Sequence, residues 1–284
     1  MQKILVTGAS GSLGRAAIAE FIVKGFSVRA ASRQPRDGAG GDVQAVHFDY
    51  TDASTYRSAL EGVNGVLLIA PPLDVEAPAK LIPFIDRAKA SGVQHIVLNS
   101  ALGIDADEAA PLRRIERHLM ASGVGYTILR PNFFMENFSR GFLAQMVRQG
   151  EIFLAAAAAK TSFISTRDIA AVAASAFAGG HVGKEYNLTG PEALDHYEVA
   201  RLIGEASGRS IVYHPISEAE MIQGAIQNGL PESAAQFMGL LYSIVRNGWA
   251  AGVTDDVQQA TGRAPLSFAE FVRDSAAAQL FGSA

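Results

Sequence analysis

Two hydrophobic rhythms alternate along the first half of the chain. Short, mostly apolar runs predict strands over residues 3–7, 27–32, 43–48, 65–69, 95–99 and 126–130. Between them, longer stretches with helical spacing predict helices over 11–24, 53–61, 77–91 and 111–122. Gly25, Gly62, Gly92 and Gly123 fall where helix C-caps belong. Several strands are apolar throughout instead of alternating, as a parallel sheet covered on both faces requires. The expected class is α/β: a Rossmann-type doubly wound parallel sheet with right-handed crossovers.

After Pro131 the pattern turns mainly helical. Strand-like pieces at 185–188 and 211–215 lie among helices expected over 168–177, 195–206, 218–228, 232–246, 255–261 and 268–279. Both strands are expected to extend the sheet, and the helices to form a smaller lobe. The expected division is 1–150 for the sheet domain and 151–284 for the lobe, with strands and a helix returning to the sheet. Many acids in this half have a structural job. Ser217 with Glu220, Ser267 with Glu270 and Asp195 with Glu198 fit capping boxes, and Asp168 sits where a first-turn acid complements a helix dipole. The alanine run 155–159 suggests no function.

Composition narrows the chemistry. With 284 residues, 49% of them apolar, the chain can bury a substantial core. It has no cysteine, which removes disulfides, thiolate catalysis and cysteine zinc sites. A net charge of −4 and the lack of any Lys/Arg block argue against a nucleic-acid surface. The longest apolar run, 66–70 continuing through Pro71 and Pro72 to Leu73, is too short to span a bilayer. The first strand begins at once, leaving no room for a secretory leader. A cytoplasmic protein without a membrane partner is expected. No residues show metal-ligand spacing, so no metal is expected.

The candidate chemistry begins at Gly8-Ala9-Ser10-Gly11-Ser12-Leu13-Gly14, between the first strand and the first helix. A strand that ends in glycines and passes straight into a helix aims backbone N–H groups and a positive dipole end at one spot, which suits a pyrophosphate. The glycines serve a tight turn, close phosphate approach and helix-on-strand packing. The spacing is G-x-x-G-x-x-G, not G-x-G-x-x-G, and an ordinary strand-to-helix turn is the competing reading. In this context Gly8, Ser10, Gly11, Ser12, Leu13 and Gly14 read as a dinucleotide cradle. The second strand points to the kind of dinucleotide. An acid about twenty residues past the glycines grips the ribose of NAD. This strand instead ends Ser32-Arg33-Gln34, and a guanidinium beside a hydroxyl attracts a 2′-phosphate. NADPH is expected over NADH, with Arg15 and Arg36 as further positive charge or as solvated surface arginines. Ligands of open α/β sheets bind outside the carboxyl ends of strands. Asp49 and Tyr50 are therefore expected to flank the adenine, and Ala70, Pro71 and Pro72 to line the pyrophosphate and nicotinamide ribose. Asn99 and Ser100 are expected near the nicotinamide.

Together these residues resemble the NmrA-like atypical short-chain dehydrogenase/reductases. The matching pieces are residues 6–14, Ala31-Ser32-Arg33, the stretch 122–137 containing Tyr126-Thr127-Ile128-Leu129-Arg130-Pro131-Asn132-Phe133-Phe134-Met135-Glu136-Asn137, then 163–170 and 186–191. The resemblance covers most of the chain. It implies a bilobal Rossmann fold, NADPH in the cleft, and Pro131 with Phe133 or Phe134 close to the nicotinamide. The group includes quinone oxidoreductases, azo-dye and triphenylmethane-dye reductases, isoflavone-type reductases, and regulators that bind dinucleotide without turnover.

One part of the usual machinery is missing. Short-chain dehydrogenases protonate a carbonyl with a tyrosine four residues before a lysine. None of Tyr50, Tyr56, Tyr126, Tyr186, Tyr197, Tyr213 or Tyr242 precedes a lysine at that spacing. Tyr126 and Arg130 lie on a predicted strand, about 13 Å apart at ~3.3 Å per residue. Tyr197 with Arg201 and Tyr242 with Arg246 are (i, i+4) pairs on distal helices. Leu112 stands at about the place of the lysine used by isoflavone-type relatives. Hydride addition to a conjugated or cationic acceptor needs little proton donation, only orientation and polar contacts where charge develops. Ser100, Asn99, Asn132 and Asn137 are the candidates for those contacts. Phe133, Phe134 and Met135 are candidates for an apolar wall, or else core packing. His118 is the one histidine with a competing reading as proton donor; His47, His95, His181 and His196 read as structural. The expected function is NADPH-dependent reduction of a planar conjugated small molecule by a monomer or homodimer. The alternatives are an NAD(P)-sensing regulator and a carbonyl reductase with an unconventional acid.

Overall fold

Parallel strands β1 (Lys3–Val6), β2 (Ser27–Ser32), β3 (Val43–His47), β4 (Gly65–Ile69), β5 (His95–Asn99) and β6 (Gly125–Pro131) pair in the order β3-β2-β1-β4-β5-β6. A seventh strand, β8 (Lys184–Leu188), lies beside β6. The computed structural model describes residues 2–35 and 41–282. Helices α1 (Ser12–Val23), α2 (Tyr56–Leu60), α3 (Ala77–Ala90) and α4 (Pro111–Ala121) fill the crossovers. The continuous apolar runs do what their pattern predicts. Ile4, Leu5 and Val6, Val66 to Leu68 and Ile96 to Leu98 are buried on both faces. On one face an aromatic cluster forms from Phe48, Tyr50, Tyr56 and Phe84, with Phe84 edge-on to the other three. Strand order reverses between β1 and β4, which opens a crevice at their carboxyl ends.

The chain divides into two interleaved compact units. The first comprises Met1–Pro131, Thr166–Asn187 and Gln259–Gly262, and the second Asn132–Ser165, Leu188–Gln258 and Arg263–Ala284. Interleaving follows from the return of α6 (Thr166–Ala178) and β8 to the sheet. Phe177 of α6 packs edge-to-face on Phe21 of α1, with ring centroids 5.6 Å apart. The second unit holds α5 (Ala144–Gln149), β7 (Glu151–Leu154), α7 (His196–Ser207), β9 (Val212–Pro215), α8 (Glu218–Gln227), α9 (Glu232–Arg246) and α11 (Phe268–Ala277); α10 (Asp256–Thr261) spans the division. Capping boxes form at Asp195, Ser217 and Ser267, each with the acid three residues on. Among the described residues, no helix is long and apolar enough to cross a membrane.

One expectation fails. The strand predicted over 211–215 does not extend the main sheet. It forms β9, which pairs in parallel with β7 in a separate two-stranded sheet. β7 alternates exposed and buried residues, the pattern of a strand covered on one face only, and β9 buries Tyr213 alone. The sequence does place a strand beside the alanine run, but four residues give almost no period from which to read its bounds or its partner.

His196, the first residue of α7, is buried among Phe138, Phe163, Tyr213 and Tyr242. Burial pushes its imidazole down to about 4. The unfolded chain therefore takes up this proton first, near pH 6.5, and the native state does not until about pH 4. Native stability is full above 6.5 and falls as pH drops toward 4, by up to about 3 kcal/mol from this group. In urea denaturation, His196→Phe is expected to flatten that slope relative to the wild type. An unchanged slope would place the acid sensitivity elsewhere.

Candidate active site

The turn after β1 is built by steric exclusion. Gly8 takes a φ of +61°, and its carbonyl accepts from the Gly11 N–H at 2.9 Å. A Cβ on Gly14 would lie 2.3 Å from the Gly8 oxygen and 2.7 Å from the Ala9 Cα. Only glycine lets α1 sit this close to the turn. The N-terminus of α1 has no side-chain cap and no acid in its first turn. Its first N–H groups, from Ser12, Leu13 and Gly14, therefore point out of the helix without intrahelical acceptors. Thr7 locks the same place to β4. Its hydroxyl donates to the Leu67 carbonyl at 3.1 Å and accepts from the Ile69 N–H at 2.8 Å. The Ala9 N–H donates to the Ala31 carbonyl and ties the turn to β2. Thr7 was not a predicted site residue; a lone hydroxyl at the end of a fully buried strand was the available signal.

The other predicted residues of the first unit surround the carboxyl edge. Gly8 and the end of β4 are neighbours, since a Cβ on Gly8 would lie 3.6 Å from the Ile69 side chain. Ala70 and Pro71 follow, half-buried, and Pro72 is exposed. Leu73 next to them holds a φ of +54°, a costly conformation for a branched side chain. Tyr50 spends its phenol on the Ile69 carbonyl at 3.0 Å. Ser32 is half-buried at the end of β2. Arg33 is exposed, and its carbonyl lies 3.0 Å from His47 Nδ1. Asp49 accepts from the Thr51 N–H and hydroxyl, which hold its carboxyl below the ordinary value. Arg15 bonds back to the Ser10 carbonyl. Arg36 lies outside the described residues.

At the end of β5 the structure assembles a buried ionic cluster. Glu116 of α4 is fully buried and accepts four hydrogen bonds: from Ser100 Oγ at 2.6 Å, Arg113 Nη1 at 2.8 Å, and Arg130 Nε and Nη2 at 2.9 and 2.8 Å. Burial alone raises the Glu116 carboxyl, but the bonds from Arg130, Ser100 and Arg113 outweigh it and keep the group ionised. Arg130 also meets Glu185 and Asp105, and Arg113 meets Glu108. Asn99 Oδ1 is buried without a hydrogen-bond partner among the described residues. His118 is not part of this cluster. Two residues past Glu116 on the helix, it is rotated about 200° away, and its Nε2 meets Asp86 Oδ1 of α3 at 2.7 Å.

Beyond Pro131 the chain enters the second unit. Asn132 is buried with its amide committed: Nδ2 donates to Ser162 Oγ at 2.8 Å and to the Ala250 carbonyl at 2.7 Å, and Oδ1 accepts from the Phe133 N–H at 3.0 Å. It works as a brace between chain segments. Phe133 and Phe134 are half-buried, with Phe133 against Tyr242, whereas Met135 is buried and belongs to the core. Asn137 backs directly onto Gly141, where a Cβ would lie 2.7 Å from its Cα. The segment that Asn132 braces carries Trp249, the single tryptophan, which sequence reasoning passed over and which is 72% exposed. Burial raises the phenols of Tyr50, Tyr242 and Tyr213, the last to about 12. None of these three is primed as an acid.

Comparison with known proteins fits this geometry. The profile of a family described as NAD(P)H-binding matches residues 8–179. The NAD(P)H azoreductase of Xenophilus azovorans is 35% identical over 294 residues, covering 99% of this chain and 100% of that protein. The crystal structure of the NADPH-dependent quinone oxidoreductase of Escherichia coli in complex with NADPH superposes with a TM-score of 0.81 at 28% identity, covering 95% of this chain and 99% of that one. The fold is shared with NmrA, a negative transcriptional regulator solved with NADP, at a TM-score of 0.75 and 14% identity over 98% of this chain and 96% of that one.

The Gly14 contact gives a direct stability test. Gly14→Ala forces a methyl group into backbone, and an overpacking cost of about 1–3 kcal/mol is expected in urea denaturation. A variant as stable as the wild type would show that the turn can yield.

Proposed function

The chain belongs to a family of NAD(P)H-binding oxidoreductases, and from that premise we propose that it transfers hydride from NADPH to a planar, conjugated small molecule. The observation that carries this reading is the uncapped N-terminus of α1, held by Gly14 against the turn at the point where strand order reverses. Space reserved by the glycines, outward N–H groups and a positive dipole end suit a pyrophosphate held by Gly8, Ser10, Gly11, Ser12, Leu13 and Gly14. Asp49, Tyr50, Ala70, Pro71 and Pro72 line the way along the edge, and Pro131, the last residue of β6, stands toward the nicotinamide end. Preference for NADPH over NADH rests on Arg33, exposed directly after β2, where no carboxylate stands to repel a 2′-phosphate.

Bound NADPH supplies the hydride. The chain's own contribution is to bind, orient and surround. Its acceptors of choice take a hydride without needing a proton from a side chain. Burial raises Tyr50, Tyr213 and Tyr242, and the Ser100 hydroxyl is spent on Glu116. Quinones, azo and triphenylmethane dyes, iminium ions and activated alkenes fit that description. A cationic acceptor is neutralised by the hydride itself, and a neutral one takes its proton from water.

NADPH oxidation measured against a panel of quinones, dyes, imines and enones is expected to show turnover with at least one class, and little with simple ketones. Tight NADP binding with no acceptor reduced would instead make the chain a dinucleotide-binding regulator. Ketone reduction abolished by His118→Ala would support an unconventional acid. Arg33→Glu is expected to raise KM for NADPH by roughly 10–100-fold, the worth of a charge-assisted contact plus repulsion, and KM for NADH far less. Equal effects on both cofactors would remove Arg33 from the phosphate site.

A further inference from the structure

The cluster around Glu116 has a polarity that the reaction alone does not demand. An ionised carboxylate only accepts hydrogen bonds, and it offers about four lone-pair positions. All four of the contacts counted on Glu116 come from donors, two on each oxygen. The Ser100 hydroxyl hydrogen is one of them, held at 2.6 Å. A serine has one hydrogen to give, so the Ser100 oxygen faces anything else purely as an acceptor. Its own backbone N–H is likewise spent, on the Leu129 carbonyl at 2.7 Å. One residue earlier, on the opposite face of the strand, Asn99 Oδ1 is another buried acceptor without a donor among the described residues. Ser100 Oγ and Asn99 Oδ1 thus accept no hydrogen bond among the described residues.

Such a cluster is an expensive way to fill space. Replacing buried ion pairs by apolar side chains of similar volume is often neutral or stabilising, so the pairs are weak evidence for stability by themselves. What an apolar replacement could not do is fix the direction of a hydroxyl. We infer that Glu116 is a positioning residue: it engages the Ser100 hydrogen, leaves the Ser100 oxygen to the ligand as an acceptor only, and makes the end of β5 a recognition point for an N–H or O–H donor of the bound dinucleotide. The donor is the carboxamide N–H of the nicotinamide or a hydroxyl of its ribose. Ser100 therefore recognises the cofactor and does not protonate the substrate. The inference rests on the dinucleotide reading above and deepens it.

Calorimetric titration of NADP⁺ and of its 3-acetylpyridine analogue, which lacks the amide N–H, tests this on the whole protein. For Ser100→Ala, binding is expected to weaken by about fivefold to tenfold, the worth of one hydrogen bond, with Ser100→Thr restoring it. A loss confined to NADP⁺ identifies the carboxamide as the donor; the same loss on both identifies the ribose. Glu116→Gln, checked for native circular dichroism, is expected to produce the same pattern by freeing the hydroxyl to rotate. In turnover the Ser100→Ala loss should fall on KM for NADPH and not on kcat. If Ser100→Ala binds both dinucleotides as tightly as the wild type, or if its kcat drops a hundredfold with KM unchanged, the inference is wrong. If the wild type binds neither dinucleotide, it is the dinucleotide reading that fails.

Discussion

The approach of α1 to the turn that precedes it is the constraint on which the rest depends. With a Cβ position 2.3 Å from the Gly8 oxygen, Gly14 cannot be any other residue without moving helix or turn. That closeness aims the first N–H groups of α1 at the crevice left by the reversal of strand order. Thr7 then couples the turn to β4 through two hydrogen bonds of one hydroxyl, and Ala9 couples it to β2. These bonds hold the turn without any ligand, so in the proposed reading little ordering is left to oppose binding of an anion.

A second constraint lies two strands away, at the ends of β5 and β6. Burying Glu116 with Arg113 and Arg130 removes three charges from water, and the cluster stands only because every lone pair of the carboxylate is met. The consequence is chemical. Ser100 stands at a strand end where a hydroxyl invites assignment as a proton donor, yet its hydrogen is already committed. Asn132 tells the same story in the second unit, where its amide braces Ser162 and Ala250. Two predicted polar contacts thus have their donors turned toward the protein, which favours acceptors that need no protein proton.

Much of the fold was legible because its strands obey one simple rule. Runs such as Leu5-Val6 and Val66-Leu67-Leu68 are apolar on both faces, as strands of a parallel sheet covered on both sides are. The glycine turn was legible for the same reason, since Gly8, Gly11 and Gly14 each answer a steric demand. Other features are set by contacts that are not local in sequence. β7 and β9 are four residues each and find each other across the second unit. Glu116 reads in sequence as one more surface acid on a helix rich in arginine. Only the fold turns it inward, toward Ser100 and Arg130. Trp249 carries no periodic signal, and its exposure becomes visible only once Asn132 has braced the segment that bears it.

The proposed function depends on anion binding at the head of α1 and on Arg33 directly after β2. Isothermal titration of the wild-type protein with NADPH and with NADH measures both together. One site per chain, filled by NADPH at least tenfold more tightly than by NADH, is the predicted result. No dinucleotide binding, or NADH bound as tightly as NADPH, would contradict it.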